Sequence, residues 1–542
     1  MSAFGLLHLL GGLAFAIAGW LMPRRVAHSR WSTVPALLVD MAPLMSGTGL
    51  LLLATGRPIF AGVVILALGA GFALADRTMR ETLREPVVFS EMSELPQVFT
   101  HPHLYLPFAG PGLVIGGVAG TVALGLALLL LEPPVWAPRP DLALLAIALL
   151  GAAGWLVARA PLLGAAAAWL RRLRPSGEPF ADAQRLGPFG MLLAHAVIAR
   201  AERARRRTAL CAPAIARPTG ERDVPLILVQ CESFFDARRI SPSLPKDLLP
   251  GFDACRAGAA MHGRLEVPGW GANTMRTEFA VLTGIPEAEL GYDRFNPYYA
   301  LARTPIASQV WRLRQAGYRT ICLHPFDRRF FRRDLAMPAL GFDEFLGRDA
   351  LGGSRKPPYY PDPDFARDIL RILDAHGPRV FIFAITMANH GPWLDAGPPP
   401  IDPSLARLFD PAAVPQGGAL LRYLDGLRRS DEMLQILMAG IEQRRVPSVL
   451  GFYGDHLPSL PLAYAHFGFE EPHADYVVWP GEAGIPPRHC DLPANRLGAV
   501  IVDALLGAET TAGSAPKTEA ASAPALDPGL PRPALAFQAR GQ

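Results

Sequence analysis

The chain has 542 residues, half of them hydrophobic, and a mean hydropathy of +0.22, which is too apolar for a protein lying wholly in water. Lysine and arginine total 52 against 48 acidic residues, a formal net charge of +4, so the basic footprint of a nucleic-acid binder is missing. Five scattered cysteines, Cys211, Cys231, Cys255, Cys322 and Cys490, have neither zinc-site nor disulfide spacing and read as mostly buried thiols.

A membrane-crossing helix takes about 20 apolar residues. Five stretches in the first third approach that length: 3–22, 33–54, 58–75, 106–131 and 142–163. The first reads as an uncleaved span, because Pro23, Arg24 and Arg25 follow it where a signal peptide would have small residues. Asp40, inside the second, reads first as a helix-end or interface residue and second as a polar contact inside the bundle. These stretches make residues 1–164 a transmembrane helical domain.

Over 165–222, short apolar runs mix with arginines, among them Arg171, Arg172, Arg174 and the run at 203–207. The pattern fits either an interfacial helix on anionic headgroups or a solvated basic linker. A globular domain occupies 223–507, and 508–542, rich in Ala, Pro, Ser and Thr without periodicity, reads as a disordered tail.

Within the globular domain, continuous apolar runs at 224–230, 320–324, 380–386, 448–454 and 475–479 alternate with helical patterns such as 308–317. Such runs predict a largely parallel sheet covered on both faces, and the site of such a sheet lies beyond the carboxyl ends of its strands. The residues at those ends are Glu232 and Ser233 after the first run, Thr386, Asn389 and His390 after the third, and Asp455 and His456 after the fourth. Two carboxylates and an imidazole suit one divalent ion, Mn²⁺ or Mg²⁺, with Zn²⁺ also compatible. The segment Gly269 to Phe279 supplies a hydroxyl, Thr274, at a predicted helix start. By composition it reads as a helix cap before it reads as a nucleophile, and the same helix start would favour a phosphate through its free N–H groups.

The blocks VQCESFFD, GANTMRTEFAVLTG, HPFDRRFFRRDLAMPALGFDEF, FAITMANHGPW and GFYGDHLPSL, in this order over about 224–460, resemble the lipoteichoic acid synthase family of the alkaline phosphatase and sulfatase superfamily. The resemblance implies a five-span anchor joined to an alkaline-phosphatase/sulfatase-like α/β domain. It implies one divalent ion, typically manganese, on Glu232, Thr274, Asp455 and His456. Thr274 is then also the nucleophile, taking a phosphorylated headgroup such as phosphoglycerol from a phospholipid donor and passing it to an envelope glycan or polymer. His390 and Arg333 are implied to contact that headgroup, His390 as proton donor to the leaving alkoxide and Arg333 as a bidentate phosphate clamp. His324 and Phe331 are further pocket candidates. Cys231 and Trp270 depart from the family pattern without removing a ligand.

A formylglycine sulfatase would need a Cys or Ser in a C/S-x-P-x-R context, and the Thr274 segment has no such motif. A phosphoethanolamine transferase or a phosphodiesterase with the same ligands stays open, as does an inactive receptor or scaffold on this fold. Arginine far outnumbers lysine, which favours a periplasmic glucan or capsular polysaccharide as acceptor. The family location is the bacterial cytoplasmic membrane with the catalytic domain on its periplasmic face. With five spans this puts Arg24, Arg25, Arg30, Arg77, Arg80 and Arg84 outside, against the positive-inside rule.

Overall fold

The computed structural model describes residues 3–159, 161–211, 223–353, 359–394, 404–444, 447–481 and 484–506. The tail at 508–542 lies outside them. Among the described residues, five helices are long and apolar enough to cross a membrane: α1 (Ala3–Val26), α2 (Val34–Thr55), α3 (Pro58–Thr82), α4 (Pro111–Leu131) and α5 (Pro140–Val157). The fourth stretch begins later than its hydropathy predicts. Gly110 takes a positive φ of 77° and Pro111 follows it, ending one short helix, Pro102–Ala109, and opening the next.

The third helix, by contrast, continues past its apolar run to Thr82 and projects toward the globular domain. Helices α1 and α3 pack backbone to backbone. A Cβ on Gly62 would lie 2.2 Å from the Gly12 carbonyl, and one on Gly69 would lie 2.0 Å from the Gly19 carbonyl, so small residues spaced by seven on both helices permit the approach.

Asp40 is not a helix-end residue. It is fully buried and accepts hydrogen bonds from Arg24 Nη1 (2.7 Å), Trp20 Nε1 (2.8 Å) and the Gly190 amide (3.0 Å). A carboxylate at that depth is stable only when paired, and Arg24 is its partner.

The connections sort into two ends. Gly56 and Arg57 meet the segment after α4, with Val135 N donating to Gly56 O at 2.8 Å and Arg57 Nε to Glu132 O at 2.7 Å. The other two connections face the globular domain. Ser29 Oγ donates to Ala183 O in the stretch that leads into that domain, and Ser459 Oγ of the domain itself donates to Thr82 O, each at 2.7 Å. The arginines that oppose the positive-inside rule therefore lie on the globular-domain side, where several are neutralised. Arg24 pairs with Asp40, Arg77 with Glu81 and Arg80 with Asp76.

Helix α6 (Pro188–Leu210) follows, and it is neither a free linker nor only a lipid-facing surface. Arg203 and Arg206 both donate to Asp293 at 2.6 Å, and Arg207 bonds the Ala300 carbonyl. The basic stretch thus bolts the anchor to the globular domain.

Among the described residues, that domain is built on one nine-stranded sheet: β1 (Leu226–Cys231), β2 (Met261–Glu266), β3 (Arg319–Leu323), β4 (Glu344–Leu346), β5 (Val380–Ile385), β6 (Val449–Gly454), β7 (Ala474–Trp479), β8 (Arg488–His489) and β9 (Leu492–Pro493). The order is β4-β3-β5-β1-β6-β7-β2-β8, with β9 also paired to β2. The first five in that order run parallel, whereas β7 is antiparallel to both β6 and β2. Every residue of β1, β5 and β7 is buried, as expected for strands covered on both faces. Of the cysteines, Cys231, Cys255 and Cys322 are buried and Cys211 and Cys490 partly so.

Candidate active site

Strands β5, β1 and β6 are neighbours and parallel, so their carboxyl ends deliver Thr386, Glu232 and Asp455 to one edge. The chain after β1 turns sharply, with Ser233 at φ 54°, and crosses directly over Gly454. A Cβ there would lie 1.8 Å from the Phe234 carbonyl, so only glycine lets this turn sit against β6.

The turn is fixed by polar contacts. The Ser233 amide donates to Asp455 Oδ1 at 2.8 Å, the Glu232 amide to Thr386 Oγ1 at 2.9 Å, and Tyr423 OH to the Ser233 carbonyl at 2.9 Å.

One ligand atom from each of Glu232, Asp455 and His456 lies within 4.8 Å of the others, and all three residues are buried. His456 Nδ1 donates to the Leu457 carbonyl at 3.0 Å, which leaves the Nε2 lone pair facing Glu232 Oε1 at 3.4 Å and Asp455 Oδ2 at 3.3 Å. A backbone-held Nδ1–H is the usual arrangement of a metal-ligating imidazole. Asp455 Oδ2 is buried without a hydrogen-bond donor among the described residues. Burial and the adjacent Asp455 push the Glu232 carboxyl above the usual carboxylate range, the strain expected where buried carboxylates meet without a cation. The donor set fits a divalent ion.

Thr274 opens helix α7 (Thr274–Thr283), whose ten residues are all buried. It is the first residue of the helix and not its cap. The cap is Asn273, in the left-handed region at φ 69° and without a side-chain capping bond. Thr274 Oγ1 lies 3.4 Å from His456 Nε2. One turn further on, Thr277 Oγ1 donates to the Asp455 carbonyl at 2.7 Å and locks the helix to the end of β6.

Behind these groups lies a buried ion pair. Glu278 accepts from Arg333 Nε at 3.0 Å and Nη2 at 2.9 Å, and also from Tyr298 OH (2.7 Å) and Gln230 Nε2 (3.0 Å). Arg333 Nη1 faces His324 Nε2 at 3.3 Å. Burial, with Arg333 alongside, holds the His324 imidazole well below its usual value, so it stays neutral and accepts. The expected bidentate phosphate clamp is thereby corrected: the Nε and Nη2 fork of Arg333 is committed to Glu278, leaving only Nη1.

A cavity of about 180 Å³ opens onto the cluster of Glu232, Asp455 and His456. Glu232, His456, His390 and Phe331 line it, together with Gly271 to Asn273, the residues leading into Thr274. Thr274, His324 and Arg333 do not. His390 Nδ1 bonds the Gly391 carbonyl at 2.5 Å, and burial lowers the pKa of its ring. Nε2 is the nitrogen left to exchange a proton.

The opposite wall comes from the anchor: Thr78 and Thr82 of α3, then Glu91, Glu94, Leu104 and Tyr105 from the connection to α4. Sequence reading missed these residues. The one available signal was an acidic run, Glu85, Glu91 and Glu94, in a connection between apolar spans.

The sulfatase family model matches residues 226–484. A capsular polysaccharide biosynthesis protein, RkpI, of Rhizobium meliloti is 31% identical over 474 residues, 83% of this chain and 84% of that protein. A putative cyclic β-1,2-glucan modification protein of the same organism is 30% identical over 47% of this chain and 39% of its own length. Among solved structures, the lipooligosaccharide phosphoethanolamine transferase A of Neisseria meningitidis superposes with a TM-score of 0.51 at 14% identity, covering 93% of this chain and 94% of that one. A helical membrane anchor carrying a mixed sheet with this ligand set at its strand ends defines the membrane-bound class of the alkaline phosphatase and sulfatase superfamily. Within it, the chain belongs to the same family as the rhizobial capsular polysaccharide protein RkpI, with a sulfatase-like domain over residues 226–484.

Proposed function

We propose that this protein transfers a glycerophosphoryl group from phosphatidylglycerol to a hydroxyl of an envelope glycan, through a covalent intermediate on Thr274. The observation that carries the reading is the approach of Thr274 Oγ1 to His456 Nε2, 3.4 Å apart, beside Glu232 and Asp455, at a cavity walled by the ends of membrane helices. That location suits a donor whose tails stay in lipid.

A divalent ion, manganese by family resemblance, would be held by Glu232, Asp455, His456 and Thr274, where it lowers the hydroxyl pKa and neutralises phosphoryl charge. Thr274 Oγ attacks phosphorus, forming the Oγ–P bond as the P–O bond to diacylglycerol breaks. In the net reaction the threonine proton ends on the diacylglycerol oxygen, and His390 Nε2 is placed to deliver it. An acceptor hydroxyl then attacks the same phosphorus, Thr274 Oγ departs, and the acceptor's proton returns to it. Burial disfavours the imidazolium of His390, but an incoming phosphodiester anion favours it. Phe331 walls the pocket, and Arg333, behind that wall with Nη1 on His324, contributes positive charge toward the phosphate without lining the pocket.

The names of the two rhizobial relatives, one a capsular polysaccharide protein and one a glucan modification protein, support a glycan acceptor. A donor and an acceptor of this kind meet on the periplasmic face of the cytoplasmic membrane, and we assign the catalytic domain to that side. The reading is tested by incubating the full chain with phosphatidylglycerol vesicles and Mn²⁺. Diacylglycerol release that disappears in Thr274→Ala supports it. Release from phosphatidylethanolamine alone would replace the headgroup assignment.

A further inference from the structure

The transfer chemistry uses one end of the cavity, leaving the carboxyl groups of the opposite wall without a role. They lie on a 3₁₀ turn, Phe89–Ser93, capped by Glu94. Residues three apart on such a turn share a face, and Glu91 and Glu94 both line the cavity. Glu94 is 7% exposed; its Oε1 accepts from Asn296 Nδ2 at 2.6 Å, while its Oε2 is buried without any hydrogen-bond partner among the described residues. A buried acceptor on a cavity wall calls for a donor from whatever fills that cavity.

Resting on the reading above, we propose that Glu91 and Glu94 form the subsite for the group esterified to the transferred phosphate, and that they recognise the hydroxyls of a small polyol. Two observations favour hydroxyls over an ammonium group. Burial raises Glu91 to about 7, and burial together with Glu91 raises Glu94 to about 8. Near neutrality the pair therefore keeps at least one proton and offers both a donor and acceptors, as adjacent hydroxyls require. Positive charge is already close at hand: Arg276 acts on Glu91, and Arg332 and Arg333 act on Glu94. Another cation is not needed.

The test measures diacylglycerol release by full-length protein, with Mn²⁺, from vesicles of phosphatidylglycerol, phosphatidylethanol or phosphatidylethanolamine. Phosphatidylethanol has no headgroup hydroxyl or amine and serves as the internal control for folding and metal loading. The double variant Glu91→Leu/Glu94→Leu should lose about 100-fold in kcat/KM on phosphatidylglycerol and keep the wild-type rate on phosphatidylethanol. Glu91→Gln/Glu94→Gln, which retains a donor and an acceptor at each position, should stay within about threefold of wild type on phosphatidylglycerol. An unchanged phosphatidylglycerol rate in the leucine variant overturns this inference alone, as does equal loss on both vesicles. A wild-type preference for phosphatidylethanolamine that the glutamine variant abolishes overturns it in favour of an ammonium site. Wild-type protein inactive on phosphatidylglycerol overturns the parent reading and this one with it.

Discussion

Arg276, in the first turn of the helix that Thr274 opens, is held from the membrane side by Glu85: Nη1 and Nη2 donate to its two carboxylate oxygens at 2.7 and 2.9 Å. Arg276 is 4% exposed and also bonds the Phe295 carbonyl. Nearby, Arg84 lies 3.5 Å from the centroid of the Trp270 ring, and Gly271, at φ 69°, comes so close to α3 that a Cβ would lie 2.6 Å from the Thr82 carbonyl. The segment after α3 thus braces the loop and helix that present Thr274, which gives the Trp270 departure from the family pattern a physical purpose.

Glu85→Ala should cost about 3 kcal/mol of stability, because it strands a buried guanidinium. Thermal unfolding in detergent measures this, with Glu85→Gln intermediate. A loss below about 0.5 kcal/mol, the size of an ordinary surface substitution, would show that the brace is not under load.

The Arg333–Glu278 pair, with side chains 2% and 0% exposed, makes a second, separable prediction. Arg333→Met alone should destabilise by about 3–5 kcal/mol, and adding Glu278→Leu should recover most of it, since a buried pair replaced by apolar groups is close to neutral. Transfer activity should stay low in the double variant if the Arg333 charge stabilises the bound phosphate. Full activity there would reduce Arg333 to a packing residue.

Metal stripping gives the third. With Asp455 Oδ2 lacking a donor and carboxylates crowded against it, Mn²⁺ at 100 times its Kd should raise unfolding stability by about 2.7 kcal/mol. Calorimetry across a chelator and Mn²⁺ series reads this directly. Asp455→Asn should erase the metal response, and an undiminished response would move the ion elsewhere.

Glu94 predicts a pH dependence. Its carboxyl is raised in the folded protein to about 8, so its stabilising contribution is complete below the unfolded value near 4.5 and is lost as pH rises through 8. Wild-type melting temperature should therefore fall from pH 5 to pH 8.5 more steeply than that of Glu94→Gln, with the gap widening by on the order of 2 kcal/mol. Parallel curves for the two proteins would contradict a protonated Glu94.

What the sequence made legible follows from where each signal is encoded. The apolar runs of β1, β5, β6 and β7 are continuous because both faces are buried, so they stood out, and the residues immediately after them, Glu232, Asp455 and His456, came with them. Strand β2, with the pattern Met261–Glu266, is only partly buried and left no run to see. Asp40 was misread because a single carboxylate in an apolar helix looks alike at an interface and in a core; its partners, Arg24 and Gly190, are distant in sequence. Glu278 was passed over as a partner for Arg333, 55 residues away, for the same reason. Glu91 and Glu94 belong to a connection between spans, where sequence pattern carries no sign of which domain the loop will touch.

The central claim is that Thr274 receives the headgroup. Full-length protein mixed with Mn²⁺ and phosphatidylglycerol without an acceptor, quenched in acid and digested, should yield the peptide containing Thr274 carrying one glycerophosphoryl group, and His390→Gln should accumulate it more slowly. An unmodified Thr274 under conditions in which wild-type protein releases diacylglycerol would contradict the account.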